Sequence, residues 1–160
     1  MKLNKISYVL LGSAVIGISL LGLRLRGQYF ADQAVFNVDI VEHELQIYNK
    51  SQGEYPAQLS QLPDFDIVSY KEGLACSSKF LKTGSFRGYA YAYQKLAKDK
   101  FVLSASPNGA LSSNIEFGIT EKGDLGFNTR LADETADTYE EVLSWEKLSR
   151  FQGLHSRGNH

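Results

Sequence analysis

The chain has 160 residues and a mass of 17.8 kDa, enough for one domain with an additional N-terminal segment. Its 17 Lys and Arg against 18 Asp and Glu give a formal charge of -1, so no basic field indicates a nucleic-acid partner. The single cysteine, Cys76, excludes an internal disulfide and a zinc site made of cysteines alone.

The N-terminal segment is strongly apolar. Residues 6–23, ISYVLLGSAVIGISLLGL, are eighteen residues without a charge, and two basic residues flank them on each side. This length is at the lower limit of the roughly 17 to 25 residues that a membrane-spanning helix needs. The sequence therefore predicts an uncleaved membrane anchor over residues 1–27. A cleaved signal peptide and a buried helix of a soluble domain are the alternatives.

The anchor also predicts a localisation and a mode of association. We expect a single-pass protein of the inner (cytoplasmic) membrane, with its N-terminus in the cytoplasm and its globular domain in the periplasm, because the α-amino group adds positive charge before the helix. Small residues allow helices to approach closely within a membrane. The candidates for such contacts are Gly12, Ala14, Gly17 and Gly22.

An amphipathic helix is predicted to continue the apolar one. Apolar residues recur at spacings of four and three over residues 28–50. The helix should end near residues 49–52, because a glycine suits the left-handed residue that closes a helix and a proline cannot continue one. Leucines spaced three apart then return the chain to the apolar face of the helix. This helix-end corner consists of Gly53, Tyr55, Pro56, Leu59 and Leu62.

Beyond the corner the periodicity changes to two, which predicts strands. A first strand over 65–70 is followed by a connection rich in Gly, Ser and Lys that runs through Ser85. Two antiparallel hairpins follow, the first joining 88–94 to 100–106 and the second joining 115–120 to 124–128.

The sequence of the C-terminal part predicts a short amphipathic helix within 132–150 and a flexible tail over 151–160. The predicted fold class is therefore α+β, with a long N-terminal helix packed on a small antiparallel β-sheet and a globular domain over 28–150.

Tyrosine and alanine alternate in the strand over 88–94. Tyr89, Tyr91 and Tyr93 should share one face, and the two intervening alanines should share the other, where a helix could approach closely. The aromatic face either packs between the sheet and a helix or forms an exposed platform. Exposed rings would favour an alternative function, an anchored extracytoplasmic binding module that recognises a small ligand or peptide on its sheet.

No set of residues predicts catalysis. His43 falls on the polar side of the predicted helix, and Cys76 has no histidine near it in sequence to activate a thiol. Phosphate-binding and dinucleotide-binding motifs are absent from the sequence. The sequence therefore predicts a non-enzymatic protein with no catalytic residues and no cofactor.

The order of these elements resembles the type IV pilin-like proteins, especially the pseudopilins of type II secretion systems. The resemblance rests on residues 45–56, LQIYNKSQGEYP, with the two leucines that follow, and on the strand segments 88–93, 101–107 and 117–124. The chain is divergent, because it lacks the usual prepilin cleavage motif and the glutamate of the family's N-terminal helix.

The resemblance implies a pilin-like fold and a role as a structural subunit or accessory protein of a secretion, pilus or envelope assembly. The implied partners are the membrane and other pilin-like subunits or inner-membrane secretion components. Some major pseudopilins bind calcium near the C-terminus, which makes Asp133, Glu134 and Asp137 candidate calcium ligands. The alternative is a solvated acidic start of the C-terminal helix.

Overall fold

The structure of the protein is a computed structural model. It describes residues 5–69, 73–108, 114–129 and 138–147, with side chains from residue 22 onward except at residue 24. Several sequence predictions lie outside these residues or side chains. They are the helix contacts at Gly12, Ala14 and Gly17, the calcium candidates Asp133, Glu134 and Asp137, and the tail over 151–160.

Helix α1 (Lys5–Gln52) dominates the N-terminal part of the chain. It ends where Gly53 adopts a φ of 76°, and the Gly53 N–H donates to the carbonyl of Asn49 at 2.8 Å. Glycine adopts this left-handed conformation without the steric cost that a Cβ would bring. The predicted position of the helix end is therefore confirmed.

The predicted localisation is wrong. Within the part of α1 whose side chains are described, no helical stretch combines the length and the apolar character that a bilayer crossing requires. Charged side chains such as Arg26, Asp32 and Asp39 recur along it. This finding contradicts the prediction of a single-pass inner-membrane protein with a periplasmic globular domain.

Two antiparallel sheets follow α1 in the described residues. A 3-10 turn, Leu59–Gln61, precedes them. The remaining elements are β1 (Asp66–Ser69), β2 (Leu74–Ser77), α2 (Ser78–Thr83), β3 (Ser85–Phe86), β4 (Tyr89–Ala97), β5 (Lys100–Pro107), β6 (Ile115–Thr120), β7 (Gly126–Thr129), α3 (Tyr139–Ser144) and β8 (Glu146–Lys147). The two-stranded sheet pairs β1 with β2, and the six-stranded sheet has its strands side by side in chain order from β3 to β8.

The coarse fold prediction is confirmed, because the chain is mixed α+β with a helix and antiparallel sheets. Both predicted hairpins are present, as β4–β5 and β6–β7. The connection predicted to run through Ser85 instead contains β2, α2 and β3. The C-terminal helix is only α3, and the short strand β8 follows it.

The large sheet is covered on both faces. Phe117 and Ile119 of β6 belong to the main core, to which α1 contributes Val38 and Val41. Between them, Gly118 faces α3, so close that a Cβ at this position would lie 2.8 Å from the Trp145 ring. Alternation along β6 thus places α1 on one face of the sheet and α3 on the other.

Candidate functional site

The helix-end corner joins the end of α1 to the β4–β5 turn. Tyr55 is buried, its ring meets Phe101 edge-on at 4.7 Å between centroids, and its N–H donates to the Lys98 carbonyl at 3.1 Å. Leu59 and Leu62 are buried in the main core beside the apolar face of α1. The corner therefore fixes the chain that leaves α1 against the sheet.

The tyrosine row of β4 faces α1. Tyr89 and Tyr91 are only 0% and 8% exposed, and Tyr93 is partly buried. The Tyr91 hydroxyl accepts from Nδ2 of Asn37 at 2.9 Å, and Tyr93 donates to the Pro56 carbonyl at 2.7 Å. Burial raises the pKa of both hydroxyls above the ordinary tyrosine range.

These tyrosine contacts confirm that the aromatic face of β4 packs between the sheet and a helix, and they correct the expectation that a helix would approach the alanine face. The row does not form an exposed aromatic platform, because two of its rings are buried and the third is tied to the corner. The long helix lies on this tyrosine face, whereas Ala90 and Ala92 point to the opposite face, where the small side chains were expected to admit a helix. The tyrosine hydroxyls explain why α1 lies on this face, because α1 and the corner supply their hydrogen-bond partners.

A buried amide clasp connects α1 to β2. Gln33 Nε2 donates to the Ala75 carbonyl at 2.7 Å, while the Ala75 N–H donates to Gln33 Oε1 at 3.3 Å. The side-chain amide thus pairs with β2 as a neighbouring strand would. Gln33 and Asn37 are fully buried and hydrogen-bonded to each other at 3.0 Å.

Sequence reasoning missed this clasp because it assigned polar residues of the helix to the solvent side. A signal was present, since Gln33 and Asn37 continue at four-residue spacing to Val41 and Leu45, which are core residues. A side chain of α1 meets the sheet because it lies on the helix face that is packed against the sheet, whether the residue is polar or apolar.

A second polar cluster joins α1, the β6–β7 turn and α3. Gln46 Nε2 donates to Glu42 Oε1 at 2.9 Å and to the Glu121 carbonyl oxygen at 3.4 Å. The Tyr139 hydroxyl donates to Glu121 Oε1 at 2.5 Å, and this hydrogen bond raises the Tyr139 pKa to about 12. The cluster links three elements through glutamate, glutamine and tyrosine side chains.

The two described residues considered above for catalysis, His43 and Cys76, lie in different environments. His43 is exposed on α1, whereas Cys76 is 1% exposed within the main core. Burial raises the pKa of the Cys76 thiol, which disfavours the reactive thiolate. In the described ranges, no group of three or more His, Cys, Asp or Glu side chains is arranged to hold a metal ion.

Two clefts flank α2. The first has a volume of about 310 Å³, and Asp64 in its lining accepts from the Ser78 hydroxyl at 3.0 Å and lies 4.0 Å from the Lys82 ammonium. The second lies between α2 and β3, has a volume of about 330 Å³, and is lined by Ser77, Lys79, Phe80, Thr83, Ser85 and Phe86. We call this second cleft the α2–β3 groove.

Exposed apolar side chains mark α1 ahead of its packed part. Leu23 and Leu25 are 46% and 56% exposed, whereas contacts with the main core begin at Tyr29 and Phe30. Gly22, the one predicted helix-contact residue within the described side chains, has open space where a Cβ would lie. This part of α1 is therefore available for contact with another molecule.

Comparisons with known proteins supply no relative. No protein family, no curated protein and no solved structure matches the chain.

Proposed function

We propose that this protein is a non-enzymatic, pilin-like structural subunit or accessory protein that acts by protein–protein contact in a secretion, pilus or envelope assembly. The segment of α1 that precedes the globular core would supply the contact, and the globular part would hold that segment in a fixed direction.

One arrangement carries this proposal. A continuous helix packs its C-terminal part on an antiparallel sheet, while the described residues ahead of that part keep large apolar side chains exposed. Leu23 and Leu25 are the most N-terminal described examples. Burial of a leucine side chain contributes about 1.5–3 kcal/mol, so a partner that covers both gains appreciable affinity.

The corner supports the same reading. The hydrogen bonds from Tyr55 to Lys98 and from Tyr93 to Pro56 hold the end of α1 against the β4–β5 hairpin. Because this end of the helix is fixed, its exposed part projects from the core at a defined angle. A helix presented in this way suits a repeated contact in an assembly.

Co-purification from the native cells tests the proposal. The tagged full-length protein and a Leu23→Glu/Leu25→Glu variant would be isolated after mild cross-linking, and associated proteins would be identified by mass spectrometry. We expect pilin-like subunits or secretion components to co-purify with the wild type and to be absent from the sample of the variant. Leu96→Glu, at an exposed leucine of β4, is the control that should retain them.

An unchanged set of partners in the double variant would contradict the role given to α1. Equal melting temperatures of the wild type and the variant would show that a loss of partners does not reflect unfolding.

A further inference from the structure

Strand β1 is an open edge of the two-stranded sheet. It pairs with β2, and on its other side no strand lies beside it among the described residues. Val68 is 45% exposed, and Asp66 is exposed as well. Because an edge strand presents unpaired N–H and C=O groups, it is a template for pairing with another strand.

The hydrogen bond before β1 shows which backbone groups of the strand point outward. The Ser78 N–H donates to the Phe65 carbonyl at 2.9 Å, so these two residues are a hydrogen-bonded pair. Hydrogen-bonded and non-hydrogen-bonded pairs alternate along an antiparallel ladder. The next pair, Asp66 with Ser77, is therefore non-hydrogen-bonded, and the N–H and C=O of Asp66 point away from β2.

The amide clasp gives the same result for Val68. The N–H and the carbonyl of Ala75 both bond to Gln33, so they point away from β1. Val68 is the residue opposite Ala75, and its own N–H and C=O therefore point away from β2. Within the described residues, no hydrogen bond reaches these outward groups of Asp66 and Val68.

We propose that β1 pairs in antiparallel orientation with β1 of a second copy of this chain. Asp66 of each copy lies opposite Val68 of the other copy, and the two Ile67 residues lie opposite each other at the twofold axis. Each outward residue has one N–H and one C=O, so the two copies form four hydrogen bonds.

The strand is complementary to itself, which is why a second copy is the occupant. Ile67 and Val68 are β-branched and suit a strand. The proposed register leaves none of the outward groups of the two copies unpaired. It also keeps the Asp66 carboxylates from facing each other directly, as a shift of two residues would impose. Twofold pairing of this kind is closed, and it is the commonest symmetry of self-association.

The contact is small and separate from the one proposed for α1. A strand of four residues buries less area than a stable interface needs, so free copies should associate weakly. None of the residues of β1 belongs to α1. The proposal therefore does not rest on the proposed function.

Disulfide trapping in the full-length protein tests the register. Ile67→Cys and Val68→Cys would each be oxidised with diamide at high protein concentration, and the covalent dimer would be followed by gel electrophoresis. Opposite Cα atoms in a non-hydrogen-bonded pair are about 4.5 Å apart, within reach of a disulfide, whereas residues offset by two positions are about 7–8 Å apart. The wild type gives the background, because Cys76 is 1% exposed.

We expect Ile67→Cys to form the dimer about tenfold faster than Val68→Cys. Random collisions would give the opposite order, because Val68 is exposed whereas Ile67 is partly buried.

A matched pair at Val68 tests the backbone pairing. Val68→Pro and Val68→Thr would each be added to Ile67→Cys. Proline removes the outward N–H and threonine keeps it, and proline is tolerated on an edge strand where that N–H faces away from the sheet. We expect about tenfold slower trapping with proline and little change with threonine, at similar melting temperatures.

The dimer should persist when Leu23→Glu/Leu25→Glu is added to Ile67→Cys, which separates it from the contact proposed for α1. Three results would each overturn the proposal: no covalent dimer of Ile67→Cys, equal rates for the two cysteine variants, or equal rates for proline and threonine variants that melt alike.

Discussion

Gly118 shows how a single missing side chain sets the position of a helix. A Cβ there would lie 2.8 Å from Trp145 Cζ3 and 2.9 Å from the Val142 methyl groups, closer than packed atoms allow. Because Gly118 is the central β6 residue under α3, the helix rests directly on the strand backbone. The close contact explains why so short a helix can bury both Val142 and Trp145.

The substitution Gly118→Ala should lower the free energy of unfolding by about 1–3 kcal/mol, because α3 must move away from the sheet. Urea unfolding followed by Trp145 fluorescence measures the change. Gly22→Ala is the matched control, since nothing lies within 4 Å of its added Cβ and alanine favours a helix. A similar loss in both variants would contradict the close packing of α3.

The buried tyrosines predict how stability depends on pH. Burial raises the pKa of Tyr91 and Tyr93 in the folded protein, whereas both ionise near about 10 in the unfolded chain. Above that pH the unfolded state holds fewer protons, so the free energy of unfolding falls as pH rises. The full contribution is present below the unfolded pKa and is lost as pH rises through the folded one.

We therefore expect the free energy of unfolding to decrease steadily above about pH 10. Tyr91→Phe should be less stable than the wild type at pH 7, because Asn37 loses an acceptor, but should show a shallower alkaline decrease. Urea unfolding between pH 7 and pH 11 measures both slopes. Equal alkaline slopes in the two proteins would show that Tyr91 does not remain protonated in the folded state.

Among the elements, those with local signals were predictable from the sequence. The end of α1 was predictable from Gly53, because glycine adopts a left-handed conformation without strain. The β6–β7 turn was predictable from Gly123 for the same reason. The β4–β5 hairpin follows from the alternation of tyrosine and alanine. These signals are properties of neighbouring residues, so they need no knowledge of the tertiary structure.

The elements that were missed depend on distant contacts. β2 has four residues and β3 has two, too few to establish a periodicity, and each is stabilised by a partner elsewhere in the chain. β2 is held by Gln33, 42 residues before Ala75. The turn from β3 to β4 places Arg87 at a positive φ, where a glycine or asparagine would be expected.

The amide clasp predicts how α1 and β2 depend on each other. Gln33→Leu should lower the free energy of unfolding by about 1–3 kcal/mol, because the Ala75 N–H and carbonyl lose their partner in a partly buried position. Hydrogen exchange should become faster at Ala75. The control is Gln28→Leu, at an exposed position of the same helix, where both quantities should stay near wild type.

At the scale of the whole molecule, α1 and α3 enclose the large sheet from its two faces, and among the described side chains of α1 the contacts with the core begin at Tyr29. The sequence predicted the helix and the antiparallel sheets, but it could not predict which sheet face α1 would choose. The face that α1 covers depends on two hydrogen bonds between residues more than 30 positions apart: Asn37 donates to the Tyr91 hydroxyl, and the Tyr93 hydroxyl donates to the Pro56 carbonyl. Leu25, at 56% the most exposed of the large hydrophobic side chains in the described residues, lies ahead of this packed part of α1.

Site-specific photo-cross-linking in the native cells tests most directly the claim that α1 makes the functional contact. A photoreactive phenylalanine analogue would replace Leu25 in one full-length protein and Leu96 in another, since both side chains are exposed. We expect Leu25 to capture a second copy of the chain or a pilin-like subunit, and Leu96 to capture neither. Capture at Leu96 alone, or no capture at Leu25 in cells that contain the folded protein, would contradict it.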